Sequence, residues 1–226
     1  MSTDSTDTTV GTDSTGRGRI FIDIFTTLDG VAQAPGGPEE DTSGGFPFGG
    51  WQAPFRDERI GAEIMAGIAS LDALLLGRRT YDIFAAYWPN YAEGEDNAIA
   101  RKFNSVPKYV ASRGAPTIEW EGTTQLGPDV LAAVDGLRDV HREIHVIGSI
   151  DFAHTLIDAQ VFDELVLWVY PIVLGQGKKV FPDGVAPTAL KLVQPAETGD
   201  SGAVSLRYAP AGKPTTGDMT LPHRGV

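Results

Sequence analysis

Twice in this chain a short apolar run stops at a glycine and a helix pattern starts at once. Leu71-Asp72-Ala73-Leu74-Leu75-Leu76 runs into Gly77 and the amphipathic Tyr81-Asp82-Ile83-Phe84-Ala85-Ala86. Ile144-His145-Val146-Ile147 runs into Gly148-Ser149 and a helix pattern over about 152–158. A short apolar run closed by glycine reads as a buried strand, and the segment behind it as a helix that covers it. Strands joined by helices build parallel sheets, because a parallel neighbour needs a crossover. Other segments agree. Ile20, Ile22 and Ile24 alternate with Phe21, Asp23 and Phe25, a strand with unequal faces. Asp57 offers an N-cap to a helix carrying Ile60, Ile64 and Ile68 on one face. Lys108 to Ala111 is a short strand, Asp129 opens a helix after Gly127-Pro128, and Leu165 to Val173 is a long strand. Leu190 to Val193 and Ala203 to Tyr208 pair as an antiparallel hairpin across the loop 199–202. The expected architecture is α/β: a mostly parallel central sheet, helices on both faces and an antiparallel C-terminal hairpin.

Composition sets the outer limits. Residues 1–17 are mainly Ser, Thr, Asp and Gly and are expected to be a disordered tail. Residues 18–209 form one domain, and 210–226 a flexible tail. A formal net charge of -12 argues against nucleic acid as a partner. No apolar run reaches membrane-spanning length and no signal segment opens the chain, so no membrane role is expected. With no cysteine there are no disulfides, zinc thiolates or iron–sulfur clusters, which fits a cytoplasmic protein. His141, His145, His154 and His223 show no H-x-x-x-H spacing, and no metal is expected.

In so acidic a chain, adjacent arginines at a helix start ask for an anion. Gly77-Arg78-Arg79-Thr80 lies where free helix N–H groups and the helix dipole both favour phosphate. Ser112-Arg113 brings a hydroxyl and a guanidinium to the end of another strand, and Gly148-Ser149-Ile150 is a second strand-to-helix turn. Ligands of open α/β sheets bind beyond the carboxyl ends of strands, where all three turns lie. Any one of them reads equally as an ordinary turn or a solvated face; the three together point to a dinucleotide with an additional phosphate. Gly175-Gln176-Gly177-Lys178-Lys179 lacks phosphate-loop spacing and precedes Val180-Phe181 rather than a helix, so it reads as a turn with two solvated lysines.

Thr27-Leu28-Asp29-Gly30, Gly77-Arg78-Arg79-Thr80-Tyr81, Ser112-Arg113, Val146-Ile147-Gly148-Ser149 and Pro171-Ile172-Val173-Leu174-Gly175-Gln176-Gly177, in this order, resemble the dihydrofolate reductase-like fold. The resemblance is nearer to the reductase domain of the bifunctional riboflavin-biosynthesis deaminase-reductase and its stand-alone relatives, over about residues 19–208. It implies NADPH-dependent hydride transfer. By resemblance Arg78, Arg79, Ser112 and Arg113 surround the 2′-phosphate, Thr80 helps hold the phosphates, and Gly77 belongs to the same turn. The amides of Gly148, Ser149 and Ile150 then cradle the pyrophosphate. The loop 28–34 covers the nicotinamide, with Gly30 and Ala32 leaving it room. A phosphate monoester is a natural partner for a guanidinium fork, which favours NADPH over NADH.

The resemblance also suggests Asp29 as the functional acid; the residue reads equally as a turn aspartate binding backbone amides. Asp57 is a second acid candidate toward substrate, and an N-cap role explains it too. Trp51, Phe55, Phe84 and Trp88 either line an apolar substrate cleft or belong to the core. The H-x-E and P-C-x-x-C deaminase signature is absent, and only Lys178 and Lys179 are free to meet a substrate phosphate. The expected substrate is a small heterocycle of pyrimidine or pterin type, or a carbonyl compound. The alternatives are a nucleotide-binding module without chemistry and a partner-binding domain whose arginines form salt bridges. A homodimer is expected, with Leu165 to Tyr170 as interface; the same residues suit a central strand buried on both faces.

Overall fold

The computed structural model describes residues 16–91 and 97–219. Apart from Gly16 and Arg17, the tail expected over 1–17 lies outside the described residues, as do 220–226 of the C-terminal tail. In chain order the elements are β1 (Arg19–Thr27), α1 (Glu58–Ser70), β2 (Ala73–Gly77), α2 (Arg78–Tyr87), α3 (Ala98–Ser105), β3 (Lys108–Ala111) and β4 (Thr123–Gln125). Then follow α4 (Val130–Leu137), β5 (Glu143–Ile147), α5 (Ile150–Asp158), β6 (Glu164–Tyr170), β7 (Leu190–Leu192), β8 (Glu197–Thr198) and β9 (Val204–Pro210). Caps follow the sequence chemistry. Asp57 accepts the amides of Arg59 and Ile60, Asn97 that of Ala100, and Asp129 that of Ala132.

The strands join one sheet in the order β4-β3-β2-β5-β1-β6-β9-β7, with β8 also paired to β9. From β4 to β6 every pairing is parallel, whereas β6–β9, β7–β9 and β8–β9 are antiparallel. This is the mixed α/β architecture expected. The alternation in β1 sorts the two faces. Ile20, Ile22 and Ile24 pack with Leu75, Val146 and Leu165 against Val134 of α4 and Phe152 and Leu156 of α5. On the opposite face α1, α2 and α3 enclose Leu74, Leu76 and Val110, while the segment 31–51 and α1 cover Val166, Trp168 and Tyr170.

Several boundaries differ from expectation. The strand expected over 71–76 begins at Ala73, because Leu71 closes α1 with its amide on the Gly67 carbonyl and Asp72 accepts the amides of Arg142 and Glu143. β6 ends at Tyr170 rather than Val173, where the Ile172 amide turns back to the Tyr170 carbonyl. β7 and β9 pair antiparallel as expected, and β9 also pairs with β6, so it lies between the two. Its pairing passes residue 209, since Ala189 donates to the Gly212 carbonyl. β6 lies between β1 and β9, so the apolar side chains of Leu165 to Trp168 are buried inside this chain and are not available as the subunit interface expected there. Lys108 is fully buried, its Nζ donating to the carbonyls of Phe103 and Asn104 at the end of α3; burial pulls its pKa down to about 8.

Candidate functional site

The sheet order places the carboxyl ends of β3, β2 and β5 side by side, and the three anion turns meet there. β2 passes into α2 with no intervening loop; Gly77 is both the last strand residue and the helix cap. A Cβ at Gly77 would stand 3.2 Å from Cβ of Phe152, so a side chain there would require α5 to give by a few tenths of an ångström. Gly148 and Ser149 are both left-handed, with φ of 66° and 57°. For serine that conformation is strained. It is held by the Gly77 amide, which donates to Ser149 Oγ at 2.8 Å, and by Thr80 Oγ1, which accepts the Ser149 amide at 3.1 Å. Side-chain hydrogen bonds thus cross-link two of the turns. Past Ser149 the first amides of α5 have no intrahelical acceptor.

These turns open on a cleft of about 1670 Å³. Pockets for drug-sized ligands run to roughly 1,000 Å³, so this one has room for more than a single drug-sized ligand. Gly77, Arg78, Arg79, Thr80, Ser112, Arg113, Gly148, Ser149 and Ile150 all line it. The arginines differ in their ties. Arg78 grips Asp82 one helical turn on (Nε to Oδ2 2.7 Å), and both are well exposed. Arg79 Nη1 donates to Ser43 Oγ at 2.8 Å and lies 3.6 Å from Asp41. Arg113 is exposed and has no ion pair among the described residues.

Away from the turns, the floor of the cleft is formed by Asp23, Phe25, His145 and Trp168, under Ile64, Gly67 and Ile68 of α1. Asp23 Oδ2 is 2.7 Å from Nδ1 of His145, which is 6% exposed. Burial alone would lower the histidine pKa. The charge and hydrogen bond of Asp23, with Glu143 behind it, outweigh that and raise it to about 9, so His145 is an imidazolium at neutral pH. Glu143 Oε2 stands 3.9 Å from Nε2, an ion-pair distance too long for a hydrogen bond; Nε2 is buried with no hydrogen-bond partner. The roof is the segment 33–43. Gln33 donates to the carbonyls of Asp41 and Ser43, and Lys178 Nζ pairs with Asp41. Glu40 also lines the cleft and accepts the amides of Gly36 and Gly37 through Oε2; burial still pushes its carboxyl above the usual range.

The remaining sequence candidates divide. Ala32, Phe84 and Trp88 line the cleft. Gly30, with φ of 82°, lies outside its lining; its carbonyl accepts the Val180 amide. Asp29, read as an acid or as a turn aspartate binding backbone amides, lies outside the cleft lining and makes the bonds of the second reading. Burial would raise its pKa, but the Thr27 hydroxyl and the amides of Gly175 and Leu174 fill its oxygens and hold it below the usual carboxylate range. Asp57 lies off the cleft as the α1 cap, where the Ser201 amide and then that of Ile60 hold its carboxyl low. Trp51 is core, its Nε1 donating to the Gln33 carbonyl, and Phe55 packs on Tyr170. Lys178 is an ion-paired wall residue of the cleft rather than a solvated lysine. Sequence reasoning missed Asp23, His145 and the roof. Asp23 had a signal of its own, as the single charge within Ile20-Phe21-Ile22-Asp23-Ile24-Phe25.

The donors present fit a phosphorylated dinucleotide: two consecutive left-handed residues at a helix start, a glycine where a Cβ would crowd α5, and an unpaired arginine two strands away. Residues 19–204 match the family model described as the RibD C-terminal domain. Among curated proteins, the uncharacterized protein YyaP of Bacillus subtilis (strain 168) is 26% identical over 196 residues, 84% of this chain and 94% of that protein. Similar solved structures include a putative riboflavin biosynthesis protein from Shewanella sp. PV-4, with TM-score 0.61 and 17% identity over 85% of this chain and 99% of that one. A pyrimidine reductase-like protein from Corynebacterium diphtheriae gives TM-score 0.55 and 13% identity over 86% and 92%. Acinetobacter baumannii RibD gives TM-score 0.56 and 15% identity, and the match covers 88% of this chain but 59% of that one. At these identities the structures establish the shared fold.

Proposed function

The chain belongs to the RibD C-terminal domain family, and on that premise we propose that it is an NADPH-dependent reductase of a small heterocycle of pyrimidine or pterin type, or of a carbonyl compound. One observation carries the reading: three anion turns, on three adjacent strands, open on a single cleft with room left over its floor. Ser149 Oγ, Thr80 Oγ1 and the Gly77 amide fix the pyrophosphate corner, and Arg113 supplies a free guanidinium for the 2′-phosphate. The bound cofactor supplies hydride; the protein orients it against substrate and shields the pair from water. The floor suits a flat ring, since Phe25 and Trp168 stack with centroids 6.3 Å apart and line the cleft together. The pyrimidine reductase-like neighbour supports a substrate of that class.

Titration with NADPH and NADH tests the cofactor. NADPH binds more tightly, and Arg113→Ala weakens NADPH by roughly ten- to a hundredfold, the value of a charge-assisted contact, while leaving NADH unchanged. Equal affinity for both, or none for either, defeats the proposal. NADPH oxidation with a pyrimidine and pterin panel then separates an enzyme from a binding module.

A further inference from the structure

Hydride delivered to the carbon of a C=N or C=O bond moves the π electron pair onto the heteroatom, which then requires a proton. Asp29 is not placed to give one, because its oxygens are taken up by Thr27, Leu174 and Gly175. The floor holds another source. Along the sheet β1 follows β3, β2 and β5, with neighbouring strands roughly 4.8 Å apart. A dinucleotide seated on the turns after those three strands would place its reactive end toward β1, the next strand in that order. Asp23 is on β1, in register with Ile147, and its carbonyl accepts the Gly148 amide at 3.0 Å. Asp23 thus joins the phosphate corner through its backbone and lines the cleft with its side chain.

We propose that Asp23 delivers the proton that completes the reduction and that His145 is the reservoir that supplies it. This rests on the NADPH reading above. The Nδ1–H bond of His145 breaks as the proton passes to Asp23 Oδ2, and the Asp23 carboxyl then passes it to the substrate heteroatom carrying the new electron pair. The substrate gains hydride and proton, the reduced nicotinamide loses two electrons, and His145 is left neutral with its remaining proton on Nε2, facing Glu143. A solvent proton restores the imidazolium. The timing follows from charge. Once oxidised, a nicotinamide held near this floor would be a cation and would disfavour the charge on His145 just when the substrate needs a proton.

The groups around His145 allow this. Phe21 stacks on the ring with centroids 4.7 Å apart, and Asp23 and Glu143 are the carboxylates beside it. Further along the same face Arg19 and Arg207 both bind Glu164, which offsets one of their two positive charges. From above, α1 brings Ile64, Gly67 and Ile68, with Glu63 next along the helix, and the roof brings Glu40. Glu40 is the rival donor, so the experiment separates the two.

The probes are NADP+ and NADPH alone, without substrate. They carry the same 2′-phosphate and differ in ring charge, so any difference in proton release reports a group near the ring. Calorimetric titration in two buffers of different ionisation enthalpy, at about pH 8.5, measures it; a one-unit fall in the His145 pKa from about 9 releases about half a proton there. NADP+ is expected to release more than NADPH, and the difference to vanish in Asp23→Asn and in His145→Gln but persist in Glu40→Gln. Nitrogen NMR of the wild-type histidines shows His145 losing its Nδ1 proton in the NADP+ complex, which decides the matter if a variant fails to fold. Equal release by the two nucleotides, or a difference abolished by Glu40→Gln, overturns the relay and leaves the cofactor reading standing. Failure of both nucleotides to bind overturns that reading and the relay with it.

Discussion

The two ends of the cleft are built in opposite ways. At the end formed by the three turns the donors are backbone amides and guanidinium groups held loosely at the surface: Arg78 on Asp82, Arg79 on Ser43, Arg113 on nothing among the described residues. At the floor a charged pair is buried inside the sheet, with His145 under α1 and its Nε2 without a hydrogen-bond partner. Loose exposed cations can turn to an incoming anion at little cost to the fold, since exposed pairs contribute about 0–1 kcal/mol. A buried pair is different: taking one partner away strands the other charge in a poor solvent. The wall is placed to capture a ligand, and the floor to hold a charge still.

The sharpest way to break this contrast is to remove one member at each end. Asp23→Ala is expected to destabilise the protein by roughly 3–5 kcal/mol near pH 6, where His145 must stay charged or neutralise, and Arg78→Ala by under about 0.5 kcal/mol. Urea unfolding of both variants checks it, and equal losses would erase the distinction. A slightly smaller effect comes from pH. The His145 pKa is raised from 6.5 to about 9 on folding, so its contribution is fully present below 6.5 and is lost as pH rises through about 9. That amounts to a loss on the order of 3 kcal/mol. Lys108, lowered from 10.5 to about 8, acts the other way, because between those values the unfolded chain binds a proton that the folded one lacks. The clean window is therefore pH 6.5 to 8, where wild-type stability falls and that of His145→Gln stays flat. A smaller effect than either loss at the floor sharpens the wall itself. Gly148→Ala places a Cβ at a φ of 66°, which costs about 1–2 kcal/mol of stability. It should weaken NADPH and NADH together, unlike Arg113→Ala, because the pyrophosphate corner serves both; a nucleotide titration that shows only NADPH affected would reassign the turn.

The same contrast explains what could be read in the chain. Turn chemistry is local: a glycine closing an apolar run, an arginine pair at a helix start and an Asp cap each declare themselves within a few residues. So Gly77 to Thr80, Ser112-Arg113 and Gly148 to Ile150 were all legible, and they do reach one cleft. The Asp23–His145 contact spans 122 positions, and Lys178–Asp41 spans 137; nothing in either neighbourhood announces the other. Asp29 shows the converse. Its local setting admits an acid or a turn residue, and the choice is made by Leu174 and Gly175, 145 and 146 positions away. The helix α3 is harder to read because it is eight residues long and buries only Ala100 and Phe103.

Ser149 remains the most constrained residue of the wall, a left-handed serine whose hydroxyl and amide are both committed to the neighbouring turn. Its unfavourable conformation is held by bonds within the chain itself, from the Gly77 amide and to the Thr80 hydroxyl. A ligand for that corner would find its donors already oriented, and binding would carry less of the ordering cost that a mobile loop imposes.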